Sequence, residues 1–388
     1  AHKDFGLKNE IVQGSKMLFL SKRMLVSIGI WPNENNNLRF ALSFIYIGIH
    51  VAMEYADFIQ HIGNLEQILD NLSESTTYTI LLIKIAVFRK NRILSKMIDS
   101  MNEDCANHKY QSLREQRIYA TYNTMTKTFY KILLYLVSAT AIFYYLRPLA
   151  GLLFTNGRIF SGSYHNGTTP FVLPYRTRFV YEMTEVYRYA LAYAYQAGTL
   201  HMVTFGWVGT DGLLISLTLH VSGQLSVLAD SIVNLKKDPK NISHPAIRNI
   251  SECKISRMAK NIDTAFTIVL LGQLLGSALL VCLNGYNVIV TSLITFALYE
   301  ATMLTFLYSY CFIGECLIRE SKRVLDAFYQ CAWYEMPTSQ SKDLIICMAR
   351  SQKPLYLTAG KFYIFSLENF TQVLKSSFTY LSVLRTLM

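Results

Sequence analysis

A lysine and a file of small hydroxyls share one helical face near residue 375. Glu368, Gln372, Lys375, Thr379, Ser382 and Thr386 recur at steps of four and three, while Leu367, Phe370, Leu374, Phe378, Leu381, Leu384 and Met388 mark the opposite face. Such a stripe offers hydration and one positive charge, with nothing nucleophilic beside it. A lysine turned to hydrocarbon at a helix centre costs about 2.5–3.5 kcal/mol on insertion scales, so the stripe is expected against water; packing on a neighbouring helix would also satisfy it. Elsewhere the chemistry-bearing residues are isolated. Asp211 and Glu300 fall in or near apolar runs, where ionisable groups serve either as proton relays or as polar pairs between helices. His201 is a lone histidine, fit for a ligand contact or a structural bond. The eight histidines are scattered, and neither His-Glu-x-x-His, Gly-x-Ser-x-Gly nor a phosphate-cradling loop occurs. Cys311 and Cys316 lack the further Cys or His that a zinc site needs. No enzyme, metal or cofactor is expected.

The elements that hold these residues are long and apolar. Of 388 residues, 52% are hydrophobic and only 16% charged, against about 25% charged in soluble domains. Runs near 38–58, 129–155, 190–222, 264–290, 291–317 and 362–386 each approach the length of a bilayer span. A seventh, 69–93, is short and interrupted by Lys84, and is taken as a span because the charge of the loops requires one. The fold class expected is an all-α membrane protein of seven transmembrane helices in one domain: a segment 1–37, spans one to six with loops over 38–317, a projecting segment 318–361, and a last helix 362–388.

Basic residues next to spans stay on the cytoplasmic side. Here 28 Lys and Arg fall on the side of the N-terminal segment and five on the other. The N-terminus is therefore expected inside and the last span to end outside, and the +11 net charge needs no nucleic acid to explain it. All seven cysteines sit in inner loops or spans, so no external disulfide is expected. Sequons at Asn71 and Asn166 would face outward as glycosylation sites. No cleavable signal is visible, "MLFL" being too short. Residues 15–31 read as an amphipathic segment in the membrane interface or as a cytosolic arm. The run from Arg178 to Leu235 exceeds one span, so it and the segment after Cys316 should project inward. Leu225, Leu228, Val324, Phe328, Trp333 and Tyr334 on these projections must then bury themselves against each other or a partner subunit. A G-protein-coupled receptor is opposed by the inside N-terminus and by the absence of Asp-Arg-Tyr, Asn-Pro-x-x-Tyr and an external cysteine pair.

Four stretches resemble the insect odorant receptor family: "IGIWP" (Ile28 to Pro32), "HVSGQLSVLADSI" (His220 to Ile232), "YCFIGECLIRESKRVLDAFYQCAWY" (Tyr310 to Tyr334) and "RSQKPLYLTAGKFYIFSLENFTQVLKSSFTYLSVL" (Arg350 to Leu384). The chain departs from that pattern at Lys254 to Met258, where a histidine is common, and at "LRTLM", where the co-receptor branch carries a glutamine. The second departure points to a tuning subunit and leaves a lining role for Thr386 without family support. The resemblance implies a ligand-gated, non-selective cation channel, a tetramer with the shared odorant co-receptor in the plasma membrane of sensory neurons. It implies that the last helix lines the pore through Lys375, Thr379, Ser382, Val383 and Thr386. Val383 matches the hydrophobic gate, where an apolar ring closes a pore by dewetting. It also implies that the projecting segments anchor the subunits and that a volatile organic molecule binds in the outer half of the bundle. An apolar pocket with few polar groups suits such a ligand, and Tyr78, Leu82, Tyr144, Pro148, Gly151, Tyr195, Thr199, Met202 and Thr295 are the candidates. The other readings are a gustatory receptor of the same superfamily and a secondary transporter, whose usual internal repeats are not visible.

Overall fold

The computed structural model describes residues 18–34, 36–63, 65–106, 112–154, 172–179, 185–234, 245–291, 294–331, 333–335 and 338–387. The helices are α1 (18–28), α2 (Asn37–Gln60), α3 (Leu65–Lys90), α4 (Arg92–Ala106), α5 (Leu113–Phe154), α6 (Val186–Val233), α7 (Pro245–Thr291), α8 (Ile294–Gln330), α9 (Thr338–Ser351) and α10 (Leu367–Leu387). A two-stranded antiparallel hairpin, β1 (Thr358–Ala359) and β2 (Tyr363–Ile364), precedes α10.

A helix apolar on every side belongs at the centre of a bundle. α6 is that helix, buried without a break from Gly206 to Asp230. It packs against α5, α8, α7 and α3. Among the described residues α2, α5, α6, α7 and α8 are long and apolar enough to cross a membrane. α3 and α10 are more polar; α3 packs against α2 and α7, and α10 against α7 and α8.

The chain from residue 18 to Trp31 packs into the core along one side and leaves Phe19 exposed on the other. Leu25, Ile28, Ile30 and Trp31 are core residues, and Leu25 lies against the backbone of α6 at Gly209. Gly29 turns the chain into α2 with φ of +80°. A Cβ there would run into the backbone of Arg39 and Phe40, so both conformation and space demand glycine.

At one end α5, α6 and α8 run on together. Leu225, Leu228, Val324 and Phe328 are buried there inside the chain, which corrects the expectation that they offer a surface to another subunit. Trp333 is partly covered, while Tyr334 is 71% exposed. In α3, Lys84 interrupts no helix: it is fully buried and held by a partner on α6.

Before α10, the turn Ala359–Phe362 has positive φ at both central residues, Gly360 and Lys361, the backbone that joins two twisted strands tightly. Asp263 of α7 fixes β1, accepting from the Thr358 backbone N–H and hydroxyl, both at 2.7 Å. β2 leads into Phe365, fully buried against α8, where Gly314 leaves room for the Phe365 carbonyl.

Candidate functional site

Four helices each present one stripe to a common cavity. α3 supplies Ser73, Glu74, Thr77 and Tyr78; α5 supplies Val137, Thr140, Ala141 and Tyr144; α8 supplies Tyr299, Thr302, Met303 and Phe306. α6 adds Val203 and Trp207, and Tyr175 closes one side from the stretch between α5 and α6. Within each helix the lining residues, single or in adjacent pairs, recur three or four positions apart, the spacing of one helical face.

The polar groups on this wall are mostly paired with one another, as buried polar groups must be. The Thr77 and Tyr299 hydroxyls bond each other, and those of Thr140 and Thr302 lie 2.7 Å apart. Glu74 accepts from the Tyr144 hydroxyl and, at 2.7 Å, from the Arg176 backbone N–H, which ties the stretch bearing Tyr175 to α3 and α5. Gln196 reinforces it by accepting from the Tyr175 N–H at 3.1 Å and donating to the Tyr175 carbonyl at 2.9 Å. Burial pushes the Tyr175 phenol up to about 12, so it stands on the wall as a neutral hydroxyl.

Beneath Trp207 lies a buried ion pair. Lys84 Nζ donates to both Asp211 oxygens, at 2.9 and 2.7 Å, and stands 4.0 Å from the centroid of the Trp207 ring. The indole is thus cavity wall on one side and a cation's partner on the other. Ring contacts continue away from the cavity, from Trp207 to Phe306 at 5.3 Å, Phe306 to Tyr310 at 6.3 Å and Tyr310 to Phe365 at 6.0 Å. The file ends two residues before α10.

α10 rests on α7 and α8 and keeps Ser377 buried. Lys375, Thr379 and Ser382 are exposed on the single subunit, so the polar stripe is not sealed against its own chain. Val383 and Thr386 lie in α10, but their side chains fall outside the described residues.

Of the expected ligand contacts, Tyr78 and Tyr144 line the cavity. Thr199 is buried and bonds the Gln196 carbonyl at 2.6 Å. Tyr195 gives its carbonyl to the Tyr46 hydroxyl. Leu82 and Met202 pack on the core without reaching the wall, and Pro148 and Thr295 are buried away from it. Gly151 lies in α5, beyond the described side chains. His201 is exposed, beside Ser27 and Phe205. Asn71 is no sugar acceptor: it is 1% exposed, and its amide donates to the Glu54 carbonyl and to Asp57, both at 3.0 Å. Asn166 lies outside the described residues. Sequence reasoning missed Glu74, Tyr175, Tyr299 and Trp207. The mixture of small hydroxyls and aromatics at Ser73–Thr77 and Tyr299–Thr302–Phe306 was a usable signal for two of these stripes, whereas Tyr175 had none.

The family described as 7tm odorant receptor matches residues 64–378. The chain belongs to this family. Among curated odorant receptors it is 26% identical over 285 residues to Odorant receptor 13a of Drosophila melanogaster, covering 66% of each chain. It is 34% identical over 101 residues to the odorant receptor coreceptor of Ooceraea biroi, covering 26% of this chain and 20% of that one. The matched segment spans less than two thirds of either relative. In fold the chain is similar to the insect olfactory receptor OR5 of Machilis hrabei, solved in complex with eugenol. The TM-score is 0.78 at 16% identity, over 97% of this chain and 100% of that one. The protein is an all-α membrane protein with the insect odorant receptor fold.

Proposed function

We propose that this odorant receptor family member is the odorant-binding subunit of a ligand-gated, non-selective cation channel, with a volatile organic molecule seated in the cavity of α3, α5, α6 and α8. The observation that carries the reading is the continuity between that cavity and α10. Trp207 and Phe306 belong at once to the wall and to the file of rings that ends at Phe365. A ligand moves an equilibrium only as far as it prefers one state; a molecule that repositions Trp207 and Phe306 biases the seat of α10. That a fold neighbour was solved with eugenol is in keeping with a small organic ligand.

In this reading Lys375, Thr379, Ser382 and Thr386 line a central pore, Val383 is its hydrophobic gate, and the N-terminus is cytoplasmic. Co-receptor subunits complete a heterotetramer in the plasma membrane of sensory neurons, with Tyr334 at the contact between subunits. The resemblance of the coreceptor segment and the exposure of the polar stripe support this.

The test is whole-cell recording with and without the co-receptor. Volatiles are expected to evoke a rapid cation current in the pair and little in either chain alone. Responses abolished by a G-protein inhibitor would overturn the reading.

A further inference from the structure

We infer that the ligand carries a hydrogen-bond acceptor, such as a carbonyl, ester or ether oxygen, which meets the Tyr78 hydroxyl or the Trp207 indole N–H; this rests on the cavity being the odorant site. The inference comes from what the wall leaves unpaired. Ser73 donates to Asn284 at 2.9 Å, Thr77 bonds Tyr299, Thr140 bonds Thr302, and Glu74 already accepts from two donors. Among the described residues two buried polar atoms on the wall close no hydrogen bond: the Tyr78 hydroxyl and Trp207 Nε1. Thr199 and Tyr175 face the Tyr78 hydroxyl without closing a hydrogen bond to it, and the Thr199 hydroxyl is committed to the Gln196 carbonyl.

An indole N–H can only donate, and a phenol donates readily. A buried donor without a partner carries a desolvation penalty that an acceptor relieves. A hydrocarbon leaves both donors unpaired. A protonated amine adds donors where acceptors are wanted, and Glu74 is already engaged. Both unpaired groups lie on rings that also shape the cavity, Tyr78 edge-on to His50 at 4.5 Å and Trp207 against Lys84, so the fold itself brings them to the ligand.

The test applies series of linear methyl ketones, alkanes and primary amines of matched carbon number to the chain co-expressed with the co-receptor. Ketones are expected to act at about tenfold lower concentration than the matched alkanes or amines, the step that one well-made buried hydrogen bond supports. In Tyr78→Phe or Trp207→Phe the ketone-to-alkane ratio should fall toward one. Because the Tyr78 hydroxyl closes no hydrogen bond to the described residues, Tyr78→Phe should reach the cell surface at the level of the parent chain. Alkanes or amines as potent as ketones, or a ratio that survives both substitutions, would overturn the acceptor inference while leaving the odorant reading intact. Silence to every series, while a co-receptor agonist still opens the channel, would remove the odorant reading and this inference with it.

Discussion

Lys84 is the residue that most alters how this chain is understood. In the linear sequence it spoils an apolar run; in the fold it is a buried cation whose partner, Asp211, lies 127 positions away. Neither member is tolerable alone, because removing one leaves the other charged and uncompensated in the interior. Asp211→Asn is therefore expected to cost about 3–5 kcal/mol, seen as lost surface expression and a lowered melting temperature in detergent. Lys84→Met with Asp211→Leu should regain most of that loss, since apolar side chains of similar volume replace such pairs at little cost. A double variant as unstable as the single one would mean that the charges matter for something other than each other. The same distance explains why the second span was the hardest to read: a local hydropathy window cannot see its own counter-ion. Tyr175 was illegible for a related reason, since it sits outside any periodic element and is held by Gln196 and by the bond from the Arg176 N–H to Glu74.

Among the elements, the hairpin ahead of α10 decides where that helix begins. Asp263 holds the Thr358 backbone and hydroxyl, and Phe365 locks beside Gly314 of α8. Asp263→Ala strands a backbone N–H and a hydroxyl, a penalty of about 1–3 kcal/mol. Hydrogen exchange should then quicken from Leu357 to Phe365 and into the first turn of α10, with α5 and α6 unchanged; unchanged exchange in the hairpin would show that Asp263 is not its tether. The long apolar runs of α5, α6 and α8 and the polar stripe of α10 were plain in the sequence. What periodicity could not tell was the surface each face would meet. Leu225, Leu228, Val324 and Phe328 have the spacing of a contact face, yet they close on one another within the subunit. The segment before α2 reads as amphipathic, and Leu25, Ile28, Ile30 and Trp31 of its apolar side are taken up by the core.

In the molecule as a whole, a file of aromatic rings runs from a cavity among α3, α5, α6 and α8 to the start of α10, the helix that carries the exposed polar stripe. The stripe was legible from the spacing of Lys375, Thr379 and Ser382. The cavity was legible only in part, through Tyr78 and Tyr144, because a shared void belongs to several helices and to no single run of sequence. Breaking either end should be felt at the other if binding and opening are one equilibrium. The most direct measurement is Thr379→Cys in the chain co-expressed with the co-receptor, treated with a charged, water-soluble thiol reagent during odorant application. A lasting fall in odorant-evoked current beyond that of the parent chain treated alike is expected, with faster modification when odorant is present than without. A current that the reagent leaves untouched, with or without odorant, would contradict it.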